Sequence, residues 1–429
     1  MQLVVIGNSA AGLSALEAFR KRDRTSPVTV ITKENEIPYS RVLLPYYLRG
    51  KTTFENLFIR DKDYYERMNA KCITDTVVKL LPERQTLYLK RGAPLTYDRL
   101  LIATGSSPVK PPIPGLTGKG VHHLWTLADV KNLMPYFKKG KSVVVLGSGF
   151  VSLQGAWAAV SQGLDVSVVE LMSRIMPNAL DDYGAQVLST KMRQSGVDLR
   201  LNTLTQKIER TDDGKLTLYF KDGDTLTSDF IIVGTGVRPN IDFLQGTGID
   251  IDAGIVVDDH MQTTLPHIYA AGDVAQVPST FGGDSVVHAL WPTALETGRI
   301  AGACMAGETS AYEGSLNMNV TQMFGITVAS MGDFMDVDGA EIWTDETLPP
   351  DQYLKIVMKE GVPVGATCAG GSELIATLGL LRPLIRQKVS IQGNPAMLKT
   401  MLAQNITRYH HSFVRCGDDK KLRTPSCVS

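Results

Sequence analysis

The chain has 429 residues, enough for about three domains of ordinary size. Its 44 Lys and Arg balance its 44 Asp and Glu, so net charge gives no ground for expecting a nucleic-acid or membrane partner. No apolar run approaches the roughly 18–20 residues that span a bilayer, and the cysteines, scattered without a CxxC pair, fit a reducing cytoplasm rather than a disulfide framework.

Gln2 to Ile6 is a short β-type run, followed by Gly7-Asn8-Ser9-Ala10-Ala11-Gly12, a helical stretch from Leu13 to Arg22, and a second β run from Val28 to Ile31. The turn splits the apolar N-terminus, which therefore reads as strand, turn and helix rather than a secretory leader. Such a βαβ opening needs a tight turn at Gly7 and small residues at Ser9 and Gly12. A helix N-terminus can then approach a pyrophosphate and offer it backbone N–H groups. Serine at the middle position weakens the pattern when it is taken alone, and a plain strand-to-helix turn is the alternative. Glu34, 27 residues past Gly7, is a candidate acceptor for adenosine ribose hydroxyls.

Tyr97 to Gly105 and Ser228 to Asn240 each read as a strand closed by small residues, Ala103-Thr104-Gly105 in one and Thr235-Gly236 in the other. These are ends of the kind that meet ligands in open α/β sheets. Between them the opening pattern returns: Ser142 to Leu146, then Gly147-Ser148-Gly149-Phe150-Val151-Ser152, a helix from Leu153, and a strand ending at Glu170. An acid at that point favours a free ribose 2′-hydroxyl and hence NAD over NADP, with Arg174 nearby as the counter-indication. Two such matches in strand–turn–helix–strand context are far more specific than one.

Further on, Tyr269-Ala270-Ala271-Gly272-Asp273 ends a strand in small residues and an acid that can accept from a sugar-alcohol hydroxyl. Trp291-Pro292-Thr293 opens a helix whose N-terminus would present positive partial charge. The only close pairs among the seven histidines are adjacent, His122-His123 and His410-His411, without metal-ligand spacing, and no metal site is expected.

The order of these motifs resembles the pyridine nucleotide–disulfide oxidoreductase superfamily over residues 2 to about 400. The resemblance implies an α/β protein with two Rossmann-type dinucleotide-binding domains and a smaller α+β C-terminal domain. An FAD domain over 1–112 and 246–315 would be interrupted by an NAD domain over 113–245, with an interface domain over 316–404 and a polar tail over 405–429. FAD would be held by Gly7, Ser9, Ala10, Ala11, Gly12, Glu34, Arg41, Thr104, Gly105, Gly272, Asp273 and Thr293, and NAD by Gly147, Gly149, Phe150, Val151, Glu170 and Gly236.

Pro38-Tyr39-Ser40-Arg41 and Trp291-Pro292-Thr293-Ala294 are similar to the branch of rubredoxin reductases, nitrite reductase flavin modules and flavin subunits of anaerobic complexes of the phenylglyoxylate dehydrogenase kind. By that resemblance Arg41 and Thr293 face the flavin as catalytic residues. Two departures stand out. The branches that do thiol chemistry carry cysteine after the first βαβ unit, whereas 34–58 here contains none. In the second motif Ser152 replaces the third glycine and Gln154 replaces a glutamate, which puts the strength of NAD binding in question.

The implied activity is electron transfer between NAD(H) and an iron–sulfur carrier or partner subunit, within a cytoplasmic hetero-oligomer, since the chain shows no cluster-ligand spacing of its own. A stand-alone NADH:rubredoxin or ferredoxin reductase or NADH oxidase, and an assembly subunit that keeps FAD for structure with impaired NAD turnover, are the alternatives. The basic tail, with Arg408, Arg415, Lys420, Lys421 and Arg423, reads either as a disordered terminus or as a docking segment.

Overall fold

The computed structural model describes residues 1–335, 337–371 and 373–391. The tail over 405–429, with Cys416 and Cys427, lies outside them, as does the end of the 316–404 segment. Within the described residues the chain divides into two compact units, one of Met1–Asn178 with Leu188–Asn319, the other of Ala179–Val187 with the residues from Val320 onward.

The first unit contains two parallel five-stranded sheets built on one plan. Leu3–Ile6 and Val28–Thr32 are buried along their whole length, as a strand covered on both faces requires. Across the first sheet the order is Ile268–Ala270, Arg99–Ile102, Leu3–Ile6, Val28–Thr32, Ala70–Thr74. Across the second it is Val121–His122, Phe230–Val233, Ser142–Leu146, Asp165–Val169, Asp198–Arg200. The registers correspond: Ile6 lies opposite Ile31 and Ile102, and Leu146 lies opposite Val169 and Val233. Each sheet also carries a three-stranded antiparallel meander, Val77–Leu81 with Thr86–Leu89 and Leu95–Thr96 in the first, Thr205–Arg210 with Leu216–Phe220 and Thr225–Ser228 in the second. The outermost strand differs in origin: the first sheet takes it from later in the chain, the second from earlier. These are two Rossmann-type folds, as the paired glycine turns predict.

Against the first sheet, the Ala10–Arg20 helix packs on the Trp291–Met305 helix. A Cβ at Gly298 would lie 2.3 Å from Ala11 O, and one at Gly302 would lie 2.2 Å from Ala15 O. The two backbones touch, and the Gly298-Arg299-Ile300-Ala301-Gly302 sequence is what allows it. An antiparallel ribbon of Ser106–Pro108 with Val237–Pro239 joins the continuations of the two sheets' inner strands.

The second unit is an antiparallel sheet in the order Met318–Met323, Ile326–Gly332, Val362–Gly370, Tyr353–Lys359, Glu341–Thr344, with the Glu373–Arg386 helix against it. Asp181, from the segment that belongs to this unit, accepts from Tyr353 Oη at 2.7 Å and from Lys355 Nζ at 3.2 Å.

Candidate functional site

The expected ligand residues gather at the carboxyl ends of the parallel strands, where open α/β sheets bind their ligands. Gly7 follows Ile6 directly, Ala103-Thr104-Gly105 follows Ile102, and Gly272-Asp273 lies just past Ala270. In the second sheet Gly147 follows Leu146, Gly234 to Gly236 follow Val233, and Glu170 follows Val169.

Both glycine turns are cradles that side chains would fill. Gly7 has φ +117°, and a Cβ there would sit 2.0 Å from Ala103 O. A Cβ at Gly12 would sit 2.0 Å from Gly7 O. Gly147 has φ +93° and would clash with Gly234 O at 2.4 Å. Both following helices start without a side-chain cap, at Ser9 and at Gly149. Their first amides bonded back within the helix are Leu13 N, to Ser9 O, and Leu153 N, to Gly149 O. The amides of Ala10, Ala11 and Gly12, and those of Phe150 and Val151, belong to the orphan donors of a helix start, which suit a pyrophosphate. The residues therefore fit two dinucleotides.

The second turn is braced by its acid. Ser148 Oγ donates to Glu170 Oε2 at 2.6 Å, and Met172 N donates to Oε1 at 2.8 Å, so the buried carboxylate has its orientation fixed. In the first turn the corresponding contact is Thr32 Oγ1 to Asn8 Oδ1 at 3.0 Å. By register the counterpart of Glu170 is thus Thr32, and Glu34 lies two residues beyond it.

Glu34 is engaged elsewhere. Its Oε1 accepts from Arg41 Nη2 at 2.6 Å, and its Oε2 accepts from Tyr39 Oη at 2.6 Å. Arg41 also donates to Trp125 O at 3.3 Å, and its guanidinium carbon lies 5.9 Å from the Trp125 ring centroid. Trp125 Nε1 in turn donates to Ser106 O at 3.0 Å, and Ser106 Oγ donates to Asp273 Oδ2 at 2.8 Å. This chain of contacts brings together Arg41 and Asp273, which are 232 residues apart (273 − 41). Burial pushes the Asp273 carboxyl above its ordinary range, while the Ser106 hydrogen bond and the Arg41 charge pull it back.

Thr104 and Gly105 sit at the base of the ribbon. Thr104 Oγ1 donates to Asn240 O at 2.9 Å, Asn240 Nδ2 donates to Thr104 O at 2.9 Å, and Asn240 N donates to Gly105 O at 2.9 Å. Gly105 and Gly236 take φ of +65° and +105°. Thr293 is buried in the first turn of its helix. Its neighbour Thr297 accepts from Gly272 N at 3.1 Å, which ties that helix to the strand end carrying Asp273. Sequence reasoning missed Trp125, Ser106 and Asn240: they lie in connections with no periodicity, and only the folded chain shows what they join.

A doubled Rossmann unit with a dinucleotide cradle in each half defines an FAD- and NAD(H)-dependent oxidoreductase. Residues 1–298 match the pyridine nucleotide-disulphide oxidoreductase family, and the chain belongs to it. It is 35% identical over 365 residues to the NADH-dependent phenylglyoxylate dehydrogenase subunit epsilon of Aromatoleum evansii, covering 84% of this chain and 86% of that one. It is 32% identical to the nitrite reductase [NAD(P)H] of Bacillus subtilis (strain 168) over 86% of this chain but only 46% of the relative, so it spans about half of that protein. An NADH oxidase of Methanocaldococcus jannaschii is 31% identical over 98% of this chain and 99% of its own length. Among solved structures, the putidaredoxin reductase chain of a covalent complex with putidaredoxin superposes with a TM-score of 0.86 at 24% identity, over 95% of this chain and 98% of that one, which shows the shared fold.

Proposed function

We propose that this chain passes electrons between NAD(H) and a separate iron–sulfur carrier or subunit, as the flavin and nicotinamide subunit of a larger oxidoreductase. The observation that carries this reading is a dinucleotide site without a thiol. The segment over 34–58, which supplies Arg41 beside the first cradle, contains no cysteine, while Cys304 and Cys368 are buried and Cys72 lies on the Ala70–Thr74 strand. A relay through a dithiol or a sulfenic acid has no residue to form on there. Electrons leaving such a site go directly to an acceptor. The relative from Aromatoleum evansii is named as one subunit of a dehydrogenase, which supports the same assembly here.

In this reading FAD occupies the first cradle, with its pyrophosphate on the Gly7 to Gly12 turn and Asp273 accepting from the sugar-alcohol chain. Thr104 and Gly105 close one side of the crevice, and Thr293 presents a helix N-terminus to the ring. NAD(H) occupies the second, on Gly147, Gly149, Phe150 and Val151, with Glu170 at the ribose and Gly236 at the opposite strand end. Bound flavin supplies the conversion between two-electron and one-electron transfer. The segments 1–112 with 246–315 and 113–245 divide these tasks, and 316–404 serves association.

Purification of the native protein tests the proposal. The expected result is a yellow hetero-oligomer that contains an iron–sulfur protein reduced by NADH through this chain. The full-length similarity to an NADH oxidase favours one second reading, a self-sufficient oxidase. A homodimer that consumes oxygen rapidly with NADH would establish that reading and overturn the first.

A further inference from the structure

The Arg41–Glu34 pair is a built feature. Arg41 is held by Glu34, by the Trp125 carbonyl and by the face of the Trp125 ring. Glu34 is held in turn by Tyr39, whose hydroxyl oxygen accepts from Leu127 N at 3.0 Å. Both side chains remain partly exposed, Arg41 at 28% and Glu34 at 21%, so the pair faces open space rather than core. Arg41 is close enough to the strand-end crevice for its charge to act on Asp273. The other acid on this segment, Glu36, is matched by Lys131 at 2.6 Å. Arg41, Glu34 and Asp273 are the charged groups that the Trp125 and Ser106 contacts link at this edge of the crevice.

We propose that Glu34 is a positioning residue for Arg41 and offsets its charge, so that the ion pair sets how readily a flavin in the first cradle is reduced. This rests on the flavin reading above. Reduction adds negative charge to the flavin, and a nearby cation favours it. Glu34 does two opposed things: it aims the guanidinium and it cancels part of the guanidinium's field. The alternative role, as acceptor for the adenosine ribose, is less suited to the geometry. Thr32 occupies the place that Glu170 holds in the second domain, and Glu34 lies two residues beyond it in an ion pair with Arg41.

The two roles predict different results in the flavin-loaded protein. Under this proposal Glu34→Gln keeps its flavin, and the midpoint potential rises by an amount that favours reduction about tenfold, ~30 mV for a two-electron couple. Glu34→Asp, which keeps the charge, stays closer to the parent value. Arg41→Gln lowers the potential, and adding Glu34→Gln to it raises the potential again by a similar amount, because the field of the carboxylate acts on the flavin with or without its partner. An unchanged potential in Glu34→Gln, or loss of flavin from Glu34→Gln at an unchanged potential for the fraction retained, overturns the proposal; the second result returns Glu34 to the ribose. Failure of the parent protein to bind flavin would instead remove the functional reading itself and is seen before any variant is made.

Discussion

Ser152 Oγ donates to the Gly234 carbonyl at 2.8 Å, and a Cβ added at Gly234 would lie 2.1 Å from that same Oγ. The two positions share one small volume between the second glycine turn and the end of its neighbouring strand. In the first domain the register-equivalent positions are Gly12 and Ala103. There the helix carries the glycine and the strand end carries the methyl group. In the second domain the helix carries the larger residue and the strand end gives way. Serine at the third-glycine position is thus accommodated by a local exchange, and its hydroxyl satisfies a carbonyl near the dinucleotide cradle.

That exchange makes the two sites interdependent. Gly234→Ala should weaken NADH binding by about 1–3 kcal/mol, on the order of ten- to a hundredfold, because the methyl group forces the helix start away from the strand. Adding Ser152→Gly reproduces the arrangement of the first domain and should recover most of the loss. The check is a double-mutant cycle on NADH affinity by titration, with flavin content as a control that stays constant. A double variant as weak as Gly234→Ala alone would show that the positions are independent.

Glu170 carries the second prediction. Its two donors, Ser148 Oγ and Met172 N, use one direction on each carboxylate oxygen and leave further lone-pair directions for a ribose hydroxyl. A 2′-phosphate would instead meet a buried, oriented negative charge. NADH should be preferred over NADPH by about ten- to a hundredfold, the worth of a charge-assisted hydrogen bond. Glu170→Ala should narrow that preference mainly through KM for NADH, measured in steady state with an artificial dye. An NADPH rate equal to that with NADH in the parent protein would defeat the argument.

The fold was legible because both βαβ units carry it locally: apolar strand, glycine turn, helix, strand. The cradle residues follow from the same pattern, since a turn that needs φ near +100° at Gly7 and Gly147 announces itself. Glu34 shows where counting along the chain and strand register diverge. The first helix-to-strand connection is longer than the second, and Asp23 shapes it by accepting from Thr25 N and Ser26 N. Distance from the glycine turn therefore does not locate the equivalent of Glu170; strand register does, and it points to Thr32. Trp125 and Asn240 were beyond reach for a different reason. Their roles are contacts between connections far apart in sequence, which no local propensity encodes.

Thiol reagents provide a third test. Cys304 and Cys368 are buried, and burial pushes both thiols up, Cys368 to about 12, which suppresses the reactive thiolate. Cys72 is exposed. In a Cys416→Ser/Cys427→Ser background, iodoacetamide should label Cys72 first and leave NADH–dye activity intact. Stoichiometric inactivation that NADH accelerates would place a thiol in the reaction after all. Peptide mapping of the labelled protein distinguishes the two.

Asp273 ties stability to pH in a direction that the sign of its shift fixes. Burial raises its carboxyl above the ordinary value of 3.8, against the pull of Ser106 and Arg41. The folded protein without its cofactor therefore holds this proton more tightly than the unfolded chain does. The stability this contributes is complete below the unfolded value and is lost as pH rises through the raised folded value. Burial of the carboxylate is a liability in the apoprotein, one that a donating hydroxyl of the cofactor would relieve under the proposed function. Asp273→Asn removes the titration. The apo variant should gain stability relative to apo parent as pH climbs from about 4 to about 7, while retaining FAD less well. Urea unfolding midpoints of both apoproteins across that range, together with flavin released on dilution, provide the measurement. A gap that stays flat with pH would mean that the Asp273 carboxyl is not held protonated by burial. A variant that binds FAD as tightly as the parent would mean that the carboxylate makes no contact with the cofactor.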